Sequence, residues 1–166
     1  RFLALVTVGL MVLGLASSPQ TSAGGHAGAH AGIKNACEQL ILDYASLRDQ
    51  RRGTEFANLF AADGVLTVNG ETFVGRQALE ARFAKAQGQR TRHMVSNIRI
   101  TVHSAERASG VSYALIFVGK QLSPEGSAPV AVSGFTAMGE YHDEFVLTEG
   151  GWRIAGRRFI PAFVPK

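Results

Sequence analysis

Two side chains in this sequence have types suited to proton transfer and stand where a fold could bring them together: Asp49 and His93. A carboxylate that holds one imidazole nitrogen leaves the other as a base near neutral pH. That arrangement can take a proton from a carbon next to an activating group. On residue type and spacing alone, the ordinary alternative is a surface carboxylate near Arg48 and Arg51 and a histidine at a strand edge. Around the pair, Tyr44, Tyr113 and Tyr141 could donate hydrogen bonds to a leaving hydroxyl. Each tyrosine could instead pack in the core with its hydroxyl at the rim. Asn97 shares the strand face of His93 and Val95 if the alternation is regular, and Phe117, if it points inward, makes a pocket greasy. Phe135, Phe145 and Phe159 could do the same.

The elements that must position these groups are legible as a change of period. Ile33, Cys37, Leu40, Ile41, Tyr44 and Leu47 recur at the spacing of an amphipathic helix, with Asp49 at its end on the edge shared with Ile41 and Ala45. Gly53 is suited to a left-handed cap there, and Thr54 to capping a shorter helix that carries Phe56, Leu59 and Phe60 as far as Asp63-Gly64. Val65–Val68 and Glu71–Val74 flank Asn69-Gly70, the dipeptide most favoured in a tight hairpin. A third helix is expected over Arg76–Gln87. From there the period is two, with long strands over Arg92–Val102, Gly110–Gln121, Val130–Leu147 and Trp152–Pro161.

Helices followed by a meander of long strands describe an α+β domain, here a curved antiparallel sheet with about three N-terminal helices enclosing a pocket. Gly134 and Gly139 are the expected bending points. On alternation, Tyr141 faces the pocket and His142 does not, Asp143 and Arg157 pair across strands, and Trp152 closes the core. The segment Leu122–Val132, rich in Ser, Pro and Gly, reads either as a loop over the pocket mouth or as an ordinary turn.

Residues 1–23 have the pattern of a signal peptide: Arg1, an apolar run from Phe2 to Leu15, then small and polar residues. The run is shorter than the roughly 20 apolar residues of a membrane span. Cleavage near Ala23 is therefore expected, with an uncleaved anchor the alternative, and the domain is expected to be exported to the periplasm or secreted. Residues 24–32, rich in Gly and Ala, read as a flexible linker rather than a helix, and His26 and His30 within them as solvated rather than metal-binding. Residues 33–166 then form one domain.

Cys37 is the only cysteine, so no internal disulfide is possible, and its place on the helix stripe predicts a buried, inert thiol. The net charge of +4 is carried in small Arg clusters without an interleaved aromatic stripe, which argues against nucleic acid as a partner. Met94, Ile98 and Ile100 suggest an apolar outward face and hence a homodimer.

The segments Leu42–Asp49, Leu59–Gly64, Gly75-Arg76, Thr91–Asn97, Gly139–Phe145 and Gly151–Ile154 resemble the SnoaL-like family of the cone-shaped NTF2-like fold. They occur in that family's order across nearly all of Ile33–Phe163. The chain resembles most the branch holding scytalone dehydratase, the bile acid 7α-dehydratase and hexachlorocyclohexane dehydrochlorinase. The resemblance implies that Asp49 and His93 form a proton-abstracting pair for an elimination on a small hydrophobic cyclic molecule, without metal or organic cofactor. Lys120 stands where the scytalone dehydratase pattern has a second histidine. Two other readings of the same fold stay open: an isomerase or cyclase of polyketide or steroid type in which Asp49 alone moves the proton, and a non-catalytic periplasmic binding domain.

Overall fold

A computed structural model describes residues 23–85, 88–120 and 128–166 of the chain. The expected leader, apart from Ala23, and residues 121–127 of the expected loop lie outside the described residues. Helix α1 (Ala23–Gln50) and the short α2 (Gly53–Asn58) lead into β1 (Phe60–Val68) and β2 (Glu71–Val74). After α3 (Gly75–Lys85) come the long strands β3 (Gln89–Val102), β4 (Arg107–Lys120), β5 (Ala137–Thr148) and β6 (Gly151–Phe163). The strands form one curved sheet in the order β2-β1-β6-β5-β4-β3. No helix among the described residues is long and apolar enough to cross a membrane.

Three readings of the helices differ from the structure, and the strand expected from Val130 starts only at Ala137. The first helix does not start at Ile33 but ten residues earlier, so the Gly/Ala stretch is helical, with residues 27–32 exposed. Extending an existing helix costs far less than nucleating one, and the alanines between the glycines favour it. Second, the left-handed residue that ends α1 is Arg51 (φ 62), not Gly53. The Arg52 amide donates to the Leu47 carbonyl at 3.0 Å and the Arg51 amide to the Arg48 carbonyl at 3.3 Å, the paired bonds of a Schellman cap. Gly53 is needed for space instead, since a Cβ there would lie 3.1 Å from the Phe83 ring.

Third, Phe60 opens a strand rather than continuing a helix. Phe60 pairs with Ile154 and Leu66 with Arg157, so β1 and β6 run parallel in an otherwise antiparallel sheet. The hairpin at Asn69-Gly70 is as expected, with both residues at positive φ.

The inner face of the sheet packs on the stripe of α1. Cys37, Ile41, Phe56, Phe60, Leu66, Leu79, Phe145 and Ile154 are the most deeply buried apolar side chains, and Leu40, Tyr44, Tyr141 and Phe159 complete the cluster. Burial, with the Asp143 charge nearby, pushes the Cys37 thiol up to about 11, so it is a neutral core group at physiological pH. Trp152 is half-buried against the same cluster.

Two irregularities set the shape. Gly139 lies at a register shift against β6, and a Cβ there would run into the Ile160 carbonyl, so only glycine allows the strands so close. Gly134 lies outside the strands and bends none of them. The second irregularity is in β3, where Asn97 takes φ 53 and the pairing with β4 slips between Ser96 and Arg99. This bulge resets the alternation, so Ile98 and Ile100 turn inward to the core while Met94 stays exposed outside. The expected outward face of Met94, Ile98 and Ile100 therefore does not exist as one surface.

Candidate active site

Asp49 stands in the last turn of α1, where the negative end of the helix dipole disfavours a carboxylate by about 0.3–1 kcal/mol. Three donors from the start of β3 offset this. The backbone N–H of His93 donates to Asp49 Oδ2 at 2.9 Å, and the Thr91 hydroxyl donates to Oδ1, also at 2.9 Å. His93 Nδ1 lies 2.6 Å from the same Oδ1. Thr91 and His93 are two apart in a strand, so both side chains reach the same side of the sheet and the same carboxylate.

Burial pushes the Asp49 carboxyl up, but the hydrogen bonds from the His93 ring and backbone, the His93 charge and the Thr91 hydroxyl outweigh it. The net effect holds it below the ordinary value. Asp49 is therefore ionised at neutral pH and can only accept, so the proton of a neutral His93 ring sits on Nδ1. The lone pair is then on Nε2, and the ring lines a cavity of about 170 Å³. The two side chains keep 8% and 15% exposure for His93 and Asp49, enough for contact with a bound molecule.

Val68, Ile116, Val118, Ala137 and Phe159 form the apolar part of this cavity, and Tyr44 and Tyr141 stand among them. Their rings meet edge-on at 5.4 Å between centroids. Behind them the Arg157 guanidinium lies 4.0 Å from the Tyr44 ring and 4.4 Å from the Tyr141 ring, held by a two-point pair with Asp143 at 2.6 and 2.7 Å. Burial pulls the Arg157 guanidinium down, yet the Asp143 charge and hydrogen bonds more than compensate, so it stays charged. Burial beside Tyr44 holds the Tyr141 hydroxyl well above the usual phenol range, so it stays a neutral donor.

Of the expected site residues, the structure brings Asp49, His93, Tyr44 and Tyr141 together and leaves three out. Tyr113 and Phe117 are on the outer face of β4, because the inward residues of that strand are Ser112, Ala114, Ile116 and Val118. Tyr113 is 40% exposed there, and Phe117 packs near Met94, Val130 and Val132. Asn97 is exposed at the bulge and its backbone, rather than its amide, shapes the strand. The described part of the expected mouth loop also lies elsewhere: Val130 and Val132 sit over Gly119 on the outer face.

The residues not foreseen include the apolar Val68, Ile116, Val118 and Ala137 and several polar ones. Thr91 supports Asp49, and Arg48, Arg82, Asn69, Gln89 and Thr136 also line the cavity. A larger open groove of about 390 Å³ on the outer face is lined by Thr67, His142, Glu144 and Arg158, but it lacks the dyad, and His142 is tied to Glu140 at 2.8 Å.

Residues 30–158 match the sequence profile of the SnoaL-like domain, which spans well over half of the chain, and the protein belongs to that family. No curated protein is significantly similar to it. Among solved structures, a Mycobacterium tuberculosis protein of unknown function is 24% identical with a TM-score of 0.72, over 86% of this chain and 79% of that one. A candidate scytalone dehydratase from Novosphingobium aromaticivorans is 22% identical with a TM-score of 0.69, over 84% of this chain and 90% of that one. A hexachlorocyclohexane dehydrochlorinase of type 2 is 17% identical with a TM-score of 0.70, over 84% and 91%. At these identities the likeness establishes the α+β cone of the NTF2-like fold, which the family profile also carries.

Proposed function

We propose that the protein is a cofactor-independent lyase that carries out an elimination on a small cyclic molecule, with His93 as the base. The observation that carries this reading is the Asp49–His93 contact at 2.6 Å on the wall of a cavity with apolar sides. His93 Nε2 takes a proton from carbon next to an activating group. The C–H electron pair becomes the new double bond, and the leaving group departs with its own bonding pair. A leaving hydroxyl accepts a hydrogen bond from Tyr44 or Tyr141, takes that tyrosine's proton and departs as water. The proton that His93 Nε2 removed from carbon returns to the tyrosine, so both side chains end as they began. The names of the dehydratase and dehydrochlorinase neighbours agree with this class of reaction.

Two features weigh against the isomerase alternative. Both Asp49 oxygens are engaged by His93 and Thr91, so the carboxylate is placed to orient the ring rather than to take the proton itself. The cavity is also small for a steroid: at about 170 Å³ it is near the roughly 150 Å³ that accommodates a single benzene ring. Screening monocyclic β-hydroxy and β-halo ketones for double-bond formation by ultraviolet absorbance tests the proposal. Turnover that disappears in His93→Ala supports it. Turnover retained in that variant contradicts it.

A further inference from the structure

The cavity that holds His93 also holds two guanidinium groups, neither in an ion pair among the described residues. Arg48, in the last turn of α1, lies with its guanidinium 4.9 Å from the Phe83 ring centroid. Arg82, on α3, lies 5.1 Å from the Phe73 ring centroid. Both line the cavity with His93, and the amides of Asn69 and Gln89 stand in the same wall. Among the described residues neither arginine is within ion-pair distance of an acid. The carboxylate next to Arg48 in sequence, Asp49, is engaged by His93 and Thr91. Burial and then the Arg82 charge hold Arg48 below its ordinary value, the mark of two cations that feel each other in a poorly solvated place.

Two like charges turned into one half-closed cavity are unfavourable unless an anion arrives to share them. Aromatic rings beneath both forks limit their freedom and present the planar N–H edges, the geometry that suits a carboxylate. The apolar wall of Ile116, Val118 and Phe159 takes the rest of a small ring.

We infer that the substrate is a monocyclic carboxylic acid whose carboxylate is held by Arg48 and Arg82 while its ring meets His93. This rests on the lyase reading only for the word substrate; the binding itself needs no turnover. The carboxylate is a handle in this arrangement, and a different group on the ring activates the proton that His93 removes.

The test is calorimetric titration of the protein at low ionic strength with benzoate, its neutral isostere benzamide, and phenyl phosphate. Benzoate should bind roughly tenfold more tightly than benzamide. That preference should fall to less than about threefold in the double variant Arg48→Gln/Arg82→Gln, and it should weaken with salt. Arg48→Lys, which keeps the charge and loses the fork, should give an intermediate preference and guards against a folding effect of removing Arg48 from Phe83. Equal affinity for benzoate and benzamide, no binding of benzoate at about 10 mM, or an unchanged preference in the double variant overturns the inference. Tighter binding of phenyl phosphate overturns the carboxylate assignment. Carboxylate binding without any elimination contradicts the lyase reading alone, and turnover of neutral ketones with no carboxylate preference contradicts the anion pocket alone.

Discussion

Among the described residues, two aspartates have carboxylates that each hold a basic side chain at 2.6 Å, and their surroundings differ. Asp143 and Arg157 face each other on neighbouring strands, with both side chains at 0% exposure. Asp49 and His93 join a helix end to a strand start, both keep part of their surface exposed, and His93 lines the cavity. The sealed pair joins a carboxylate to a guanidinium that does not lose its proton in proteins, so its charges are fixed and its work is to brace Tyr44 and Tyr141. The open pair joins a carboxylate to an imidazole, a group able to gain or lose a proton, with Nδ1 held by Asp49 and Nε2 left without that partner. Two contacts of equal length thus differ in whether the partner can exchange a proton and in how far it is exposed, and the proposed division of roles rests on those two differences.

Breaking the sealed pair should have the largest effect on stability. Asp143→Ala leaves a buried guanidinium uncompensated and should cost about 3–5 kcal/mol, read from urea unfolding. The His93→Ala protein, by contrast, should remain folded and lose about 10²–10⁴-fold in kcat/KM for whichever ketone substrate the screen finds. If Asp143→Ala were tolerated and His93→Ala unfolded the protein, the assignment of the two pairs would be reversed.

A smaller effect sharpens the comparison through pH. The Asp49 carboxyl is held below its ordinary value in the folded state, so its contribution to stability is complete above the unfolded carboxylate range and is lost as the pH falls through the folded value. Between about pH 5 and pH 3, wild type should therefore lose more unfolding free energy than Asp49→Asn does. Equal losses would mean that Asp49 is not held in the way its contacts indicate. The smallest effect concerns Cys37, whose thiol, raised to about 11, should resist alkylation near pH 8 until the protein unfolds.

How far the sequence leads can be judged residue by residue. The stripe from Ile33 to Leu47 and the hairpin at Asn69-Gly70 are local patterns, and the structure matches both. Asp49 and His93 each fall at an element boundary that the periodicity places, but spacing left a surface carboxylate and a strand-edge histidine as the ordinary alternative, and it was the resemblance to the SnoaL-like family that paired them. Other features were not local. The parallel pairing of Phe60 with Ile154 depends on residues far apart in the chain, so Phe60 reads as the next turn of a helix. The bulge at Asn97 leaves no sign in composition, yet it reverses which face Ile98 and Ile100 occupy.

On β4 the large side chains Tyr113 and Phe117 look like the buried set. The inward set is small, Ala108, Gly110, Ser112 and Ala114, and over Gly110 the side chains of Ile100 and Phe145 fill the space. Arg48 and Arg82 were invisible as site residues for a related reason: on a helix, a charged residue reads as solvated until the packing shows what lies over it.

The account's central claim is that Asp49 fixes the proton on His93 Nδ1 and leaves a lone pair on Nε2 in the cavity. The most direct measurement is a nitrogen-15 correlation spectrum of the His93 ring, recorded through its titration in wild type and in Asp49→Asn. The account predicts a neutral ring in wild type with Nδ1 protonated and Nε2 bare, and loss of that preference when the carboxylate becomes an amide. A neutral ring with its proton on Nε2 in wild type, or the same mixture of forms in both proteins, would contradict it.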